Sequence, residues 1–208
     1  SCFAGVAQVT PGRLLATALP SLSGGGAESL TATEVTVLLH LRLPRVVMAL
    51  LAGVGLAVSG LVMQAITGNS MASPFTTGLS NAAAMGAAAV IVFGLRFMGS
   101  VQLTTVCGAF VMAFLCAALV YGISAAKGLG RATIVLVGIA LNYFFSALNA
   151  GMQYIANEQQ LSAIVNWTFG SLSQSTWQQI LFLSAVLLAA LPPLFLRAWH
   201  FNLLSAGD

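Results

Sequence analysis

Residues 46–66, with the sequence VVMALLAGVGLAVSGLVMQAI, decide the fold class of this chain. They carry no charged side chain and are long enough to cross the hydrocarbon core of a bilayer, which takes about 20 apolar residues. The absence of charge continues to Leu95, and Pro74 interrupts the run between two apolar segments. The sequence therefore predicts one membrane span at residues 46–66 and a second at residues 75–93.

The rest of the chain has the same character. Of its 208 residues, 59% are hydrophobic and 5% are charged, against about 25% charged in an ordinary soluble domain. Further spans are predicted at residues 101–121, 133–155 and 176–196. We expect an all-α, polytopic transmembrane helical bundle with about five spans and short interfacial helices, inserted in a lipid bilayer.

Local signals predict where several helices begin. Thr31 to Glu34 have the form of a capping box, which predicts a short helix over residues 31–41, and Pro44 suits the first turn of a new helix. Residues 158–173 predict a short helix before Gly170. Ser175 to Gln178 have the form of a second capping box at the start of the last span.

The first 40 residues contain neither a complete span nor a signal peptide pattern. Residues 1–10 resemble the last turns of a helix, and the glycines at 24–26 favour a loop. We therefore treat residues 1–208 as one partial membrane domain, with the remnant of a helix and an external loop at residues 1–40.

Charge and reactive side chains exclude several classes of function. A net charge of +3 with no basic run predicts no nucleic-acid binding. His40 and His200 lie far apart in the sequence, no paired carboxylates occur, and the three cysteines form no CxxC motif, so we expect no metal site and no cofactor. The predicted spans lack ionisable residues, which argues against an intramembrane enzyme.

Two helix faces stand out within the predicted spans. Gly78, Ala82 and Gly86 form a small-residue stripe suited to close helix packing. In the fourth span a polar stripe lies on one face of an apolar helix, formed by Asn142, Ser146, Asn149 and Gln153. Such side chains face protein or water, so the stripe predicts either hydrogen bonds between helices or one wall of a wetted pathway.

Five ordered blocks resemble the FecCD/BtuC-type permeases, the membrane subunits of ATP-driven importers for iron–siderophores, haem and cobalamin. The first block, Leu-Arg-Leu-Pro-Arg at residues 41–45, precedes a region rich in small residues and Gln64. The others are residues 68–82, which begin Gly-Asn-Ser-Met-Ala-Ser-Pro, then residues 136–141, 167–172 and 202–208. The resemblance implies that residues 41–208 are membrane helices two to six of a permease with about twice as many spans.

The resemblance also implies an orientation, which the three basic residues on one side and four on the other leave open. Residues 67–73 and 122–131 would be cytoplasmic, in a multi-pass protein of the bacterial inner membrane. Its partners would be an ATP-binding subunit, a substrate-binding protein and a second permease copy or paralogue. The implied cargo is an iron–siderophore or a related metal chelate, with cobalamin or haem as alternatives; a non-transporting structural subunit is a further alternative.

Individual residues take roles from the same resemblance. Arg42 and Arg45, which could equally be arginines at the membrane interface, would dock the substrate-binding protein. Asn69, Met71, Gly130 and Arg131, otherwise ordinary turn residues, would form a cytoplasmic gate. The polar stripe would line the translocation pathway, and Gly207 and Asp208 would begin the segment that couples to the ATP-binding subunit.

Overall fold

The computed structural model describes residues 32–97, 99–173 and 175–199, and these residues form helices and connecting turns without a strand. The helices are α1 (Ala32–Val37), α2 (Leu43–Thr67), α3 (Leu79–Phe93), α4 (Val101–Ala126), α5 (Arg131–Ile155), α6 (Glu158–Phe169) and α7 (Trp177–Leu196). Within the part of the chain that the structure describes, four stretches are long and apolar enough to cross a membrane: Glu34–Thr67, Val101–Ala126, Arg131–Ile155 and Trp177–Leu196. The all-α, multi-span fold predicted from the sequence is confirmed.

The described residues belong to two compact units. The first contains residues 32–55 and 171–193, and the second contains residues 56–170 and 194–199. Helix α2 contributes its first part to one unit and its last part to the other.

The first unit contains a wide helical turn where a break was predicted. Residues Leu38–Arg42 form a π-helical turn between α1 and α2, in which the Leu43 N–H donates to the Leu38 carbonyl, five residues back. Pro44 follows, fully buried and without an N–H to donate. Pro44 does lie in the first turn of α2, as predicted, since α2 begins at Leu43. The predicted end of the preceding helix near residue 41 is wrong, because the π turn joins α1 to α2 without a break.

Trp177 supplies the hydrogen-bond donor that the backbone lacks at this turn. The Leu39 carbonyl has no α-helical donor, because the Leu43 N–H is used by Leu38, and no π-helical donor, because that donor would be Pro44. The indole Nε1 of Trp177 donates to the Leu39 oxygen at 3.1 Å. A side chain distant in sequence therefore satisfies the carbonyl that the proline leaves open.

The start of α7 is capped one residue later than predicted. Thr176 N donates to Gln179 Oε1 at 3.0 Å, and Gln179 N donates to Thr176 Oγ1 at 3.4 Å. This reciprocal pair replaces the predicted box at Ser175 and Gln178. The box predicted at Thr31 lies partly outside the described residues.

Helix α3 is the most buried element of the second unit and packs against α4, α5 and α6. A methyl group added at Gly86 would collide with the carbonyl oxygen of Gly108 in α4. Ala82 is fully buried and clusters with Cys116 of α4 and Phe145 of α5. The predicted small-residue stripe is therefore the packing face of α3, and Cys116 acts as a small apolar residue.

The second predicted span is shorter in the structure. Helix α3 begins at Leu79 rather than Phe75 because residues 73–78 form turns that end at Gly78, where φ is +82°. Its 15 residues extend about 22 Å, less than the hydrocarbon thickness of a bilayer. Among the described residues, four helical stretches rather than five thus have the length of a span.

Side chains cap the starts of α4 and α6. Ser100 accepts a hydrogen bond from Leu103 N at the start of α4, and Asn157 and Gln160 form a capping box at the start of α6. The Gln160 amide also donates to the carbonyls of Ile91 and Val92 at the end of α3, at 3.4 and 3.0 Å. One glutamine thus joins the beginning of α6 to the end of α3.

Candidate functional site

The segment between α2 and α3 is ordered by its own side chains. Met71 N donates to Asn69 Oδ1 at 2.9 Å, and Ala72 N donates to the Asn69 carbonyl at 3.1 Å. Asn69 is thus the residue that shapes the turn, through the local hydrogen bonds that asparagine favours. The turn leaves the Met71 side chain 82% exposed.

A second turn follows at once. Ser73 N donates to Thr76 Oγ1 at 3.0 Å, and Thr76 Oγ1 donates to the Ser73 carbonyl at 2.8 Å. Thr77, which is buried, donates to the carbonyls of Ser73 and Pro74. The two turns give this segment one defined course between α2 and α3.

The segment ends against α5. A methyl group at Gly78 would lie 2.8 Å from the backbone nitrogen of Asn142, and one at Gly138 would lie 3.1 Å from Thr77 Cα. Asn81 Nδ2 donates to Asn142 Oδ1 at 2.9 Å. Two glycines and one amide pair therefore fix the start of α3 on the middle of α5.

An open groove lies between this segment and α5, and we refer to it as the loop groove. Its volume is about 320 Å³. It is lined by Thr67, Asn69, Met71, Ala72, Thr76, Thr77, Val135, Ile139, Asn142 and Tyr143. None of these lining residues is charged, so the groove offers hydroxyl, amide and apolar surface.

Arg131, the first residue of α5, extends along the edge of the same segment. A methyl group at Gly68 would lie 2.9 Å from Arg131 Nη1 and 3.1 Å from Arg131 Cδ. Gly68 has φ of +60° and separates two lining residues, Thr67 and Asn69. Gly130 caps α5 in an extended conformation. Three predicted gate residues, Asn69, Met71 and Arg131, thus lie around one segment, and Gly130 directly precedes Arg131 in the chain.

The polar stripe of α5 divides into residues with different surroundings. Asn142 is half-buried and bonded to Asn81, whereas Ser146 is exposed. Asn149 is 8% exposed, and its Oδ1 has no hydrogen-bond partner among the described residues. Gln153 is half-buried. The structure therefore connects the stripe to the loop groove at Asn142, and packs Asn149 against protein.

The remaining predicted site residues lie elsewhere. Arg42 is the last residue of the π turn and is half-buried, whereas Arg45, one turn later in α2, is exposed. Gly207 and Asp208 lie outside the described residues. Within the described ranges, no group of three or more His, Cys, Asp or Glu side chains is placed to hold a metal ion.

Several residues of the loop groove were not predicted from the sequence. Thr76, Thr77 and Tyr143 line it, and Asn81 holds Asn142, which lies 61 residues away in the chain. A signal for the last pair existed, since Asn81 and Asn142 are both amides inside predicted spans, where such side chains seek partners. Their pairing could not be predicted from the sequence, because it depends on how α3 packs on α5.

Comparison with known proteins gives one consistent result. The model of the FecCD transport family matches residues 1–208. A Helicobacter pylori protein named a probable iron chelatin transport system permease is 37% identical over 172 residues, covering 83% of this chain and 51% of that protein. The molybdate import system permease of Haemophilus influenzae is 35% identical over 174 residues, covering 83% of this chain and 50% of that protein.

A solved structure shows the same architecture. It is described as an inward-facing conformation of a metal-chelate type ABC transporter, with a TM-score of 0.76 and 32% sequence identity. The match covers 93% of this chain and 62% of that chain. The chain spans about half the length of the curated relatives it matches.

Proposed function

Because the chain belongs to the FecCD transport family and is an integral inner-membrane protein, we propose that it serves in a permease subunit that imports an iron chelate. ATP hydrolysis belongs to a separate subunit in this proposal, and the permease itself catalyses no reaction. A substrate-binding protein delivers the cargo, and a second permease copy or paralogue completes the pathway. The relatives differ in their named cargo, so cobalamin and haem remain alternatives to an iron–siderophore.

The loop groove is the observation that carries this proposal. It brings Asn69 and Met71, from the segment before α3, to Asn142 on the polar stripe of α5. Threonine and asparagine side chains keep a groove wetted, while the absence of charge among its lining residues avoids tight binding of a polar cargo. A passage for a hydrated chelate needs both properties, and a purely structural subunit needs neither.

Arg42 and Arg45 are the docking residues of this proposal. They lie three positions apart across the join of the π turn and α2, which places them on adjacent turns of one helical stretch. Charges at such a surface mainly speed association and fix the orientation of a partner. Acidic side chains on the substrate-binding protein are the complementary groups.

The proposal is tested with the intact permease, reconstituted in proteoliposomes with the ATP-binding subunit and the binding protein encoded beside it. ATP hydrolysis should rise when the loaded binding protein is added. The double variant Arg42→Glu, Arg45→Glu should weaken that stimulation, more at low salt, because exposed charges are screened over about 8 Å at physiological ionic strength. Arg197→Glu, a charge reversal beyond the end of α7, is the control and should leave stimulation unchanged. ATP hydrolysis that ignores the binding protein in the unmutated permease would contradict the importer assignment.

The pathway is tested separately by cysteine accessibility. Ser146 and Phe144 are both exposed on α5, and their separation of two residues, about 200° around the helix axis, places Phe144 on the side opposite the polar stripe. In an intact permease without native cysteines, Ser146→Cys should react with a water-soluble thiol reagent, whereas Phe144→Cys should be protected by lipid. Equal protection at both positions would show that the pathway does not run along this face of α5.

A further inference from the structure

Pro44 leaves one backbone carbonyl of its helical stretch without a donor, and the helical register decides which one. In the π turn the open carbonyl is that of Leu39, five residues before the proline. In a regular α-helix it would be that of His40, four residues before the proline, because the Leu43 N–H would then donate to Leu39. The two registers therefore differ in the carbonyl that needs another donor.

Trp177 favours the π register. Its Nε1 donates to the Leu39 oxygen at 3.1 Å, while the Leu43 N–H donates to the Leu38 carbonyl. In the regular register the Leu39 oxygen would already have a backbone donor, and the indole would add little. The indole therefore stabilises the π turn relative to a regular turn, because it satisfies a carbonyl that otherwise has no donor.

The register also determines how the two arginines are placed relative to each other. Arg42 is the last residue of the π turn, whereas Arg45, which is exposed, lies in the first turn of α2. A change of register alters the rotation per residue within the turn, so it changes the direction of Arg42 and leaves Arg45 in phase with α2. A partner with acidic groups at fixed positions is complementary to one such arrangement.

The same hydrogen bond joins the start of α2 to the start of α7. Leu39 and Trp177 are 138 residues apart in the chain, and both belong to the first unit. Further along the two helices, a methyl group at Gly55 would lie 3.5 Å from Cδ2 of Leu187, an ordinary contact distance. The indole bond therefore restrains the end of α2 that carries the arginines, at a distance from the contact at Gly55.

We propose that Trp177 is a positioning residue, which holds Arg42 and Arg45 in the arrangement that docks the substrate-binding protein. This inference rests on the proposed function, because it concerns the docking residues assigned there. One hydrogen bond corresponds to a factor of about five in an equilibrium between two states. Removing the indole N–H should lower the population of the π turn by up to that factor, and a partner that binds this form then binds correspondingly more weakly.

Docking is measured as the concentration of binding protein that gives half-maximal ATP hydrolysis by the intact permease in proteoliposomes with its ATP-binding subunit. Trp177→Phe keeps an aromatic ring and removes the N–H. It should raise this concentration between about twofold and fivefold and leave the maximal rate unchanged, whereas loss of folded protein would lower the maximal rate.

A matched control makes the same change at another tryptophan. Trp199 is exposed and follows the end of α7, so Trp199→Phe should change neither the half-maximal concentration nor the maximal rate. An unchanged half-maximal concentration in Trp177→Phe, or an equal increase in Trp199→Phe, would overturn the proposal.

A second substitution separates the N–H of Trp177 from the packing of its ring. Pro44→Ala supplies a backbone N–H five residues after Leu39, so this carbonyl has a donor in the π turn without the indole. In the Pro44→Ala background, Trp177→Phe should raise the half-maximal concentration by less than about twofold. An equal increase in both backgrounds would show that the ring acts by packing, and would overturn the role of the hydrogen bond.

The turn is also measured without any partner protein. Nitroxide labels at Val35→Cys in α1 and Leu50→Cys in α2 lie on either side of the π turn, and pulsed electron paramagnetic resonance gives their distance distribution. In an intact permease without native cysteines, Trp177→Phe should add a second distance, because α1 rotates relative to α2 when the register changes. Pro44→Ala should reduce that second population. An unchanged distribution in Trp177→Phe would overturn the effect of the indole on the turn.

The two measurements distinguish this inference from the proposed function. If the double variant Arg42→Glu, Arg45→Glu leaves the half-maximal concentration unchanged, the docking assignment itself is wrong, and the label distances still decide whether Trp177 sets the turn. If the double variant raises the concentration and Trp177→Phe does not, the docking assignment stands and the positioning role is wrong.

Discussion

Helices α3 and α4 pack against each other but differ in the size of their side chains: α3 buries small ones, and α4 exposes large ones. The shorter helix, α3, buries a face of alanine and glycine, with Ala82, Ala87 and Ala88 nearly inaccessible. The longer helix, α4, exposes Phe110 and Phe114, each more than two-thirds accessible. In a membrane, large apolar side chains gain nothing by leaving lipid for protein, whereas small ones let backbones approach closely.

The difference teaches how length and environment are related in this fold. A helix that faces lipid must be long enough to cross the hydrocarbon core of the bilayer, and α4, with 26 residues, is long enough. Helix α3 is covered by α4, α5 and α6, so protein rather than lipid surrounds it and 15 residues are enough. The size of the side chains on a membrane helix therefore indicates whether it faces protein or lipid, which its overall hydrophobicity does not.

The largest expected effect comes from breaking the close face of α3. Gly86→Val should destabilise the protein by several kcal/mol, because side-chain atoms at Gly86 collide with the Gly108 backbone and nearby Met112. Thermal unfolding in detergent, followed by size-exclusion profile, should show loss of the folded monodisperse species. Phe110→Leu, on the exposed face of α4, is the control and should keep the wild-type profile. Equal stability of the two variants would refute the contrast between the faces.

A smaller effect should follow from releasing the end of α3. Gln160→Glu keeps an acceptor for Asn157 N but removes the donors to the carbonyls of Ile91 and Val92. We expect a loss of about 1–3 kcal/mol, the cost of leaving partly buried acceptors without a partner. The same change at the exposed neighbour, Gln159→Glu, should lower the melting temperature little. A similar Tm in both variants would show that α3 does not need this cap.

The smallest effect concerns the amide pair at the other end of α3. Asn81→Ala and Asn142→Ala each remove the bond between Asn81 Nδ2 and Asn142 Oδ1. A double-mutant cycle measured by unfolding should give a coupling of about 0.6 kcal/mol, the average for hydrogen bonds between membrane helices. A coupling of zero would mean that the glycine contacts at Gly78 and Gly138 alone position α3 on α5.

Local patterns predicted most of the helices because hydrophobic length and caps are properties of a few neighbouring residues. The short helix ending before Gly170 is confirmed, since a glycine with φ of +67° ends α6 there. The predicted break before Pro44 was wrong, because nothing local shows that a π turn joins α2 to the preceding helix, with the distant Trp177 as donor to the Leu39 carbonyl. The capping box of α7 was misplaced by one residue because Ser175 and Thr176 both fit the local pattern.

The candidate site was predicted less completely than the helices. Asn69 and Asn142 were expected to be functional, but nothing in the sequence placed them beside one groove, because that requires the contacts of Gly78 and Gly138 with α5. The polar stripe was expected either to form hydrogen bonds between helices or to line a wetted pathway, and the structure distinguishes buried Asn149 from exposed Ser146. Helical spacing gives the face of a residue, whereas tertiary packing decides which part of that face is covered.

The π turn at Leu38–Arg42 sets the rotational phase between the two parts of the helix that it joins. The π turn contains one residue more than a regular α-helical turn. Each residue of an α-helix corresponds to about 100° of rotation about the helix axis. Deleting one residue from this turn would restore regular spacing but rotate α1 by about 100° relative to α2. Glu34 would then point in a different direction from the one it now has relative to Arg45. If residue 40, 41 or 42 were the one deleted, the Leu39 carbonyl would lie four residues before Pro44 and would still depend on the indole of Trp177 for a donor.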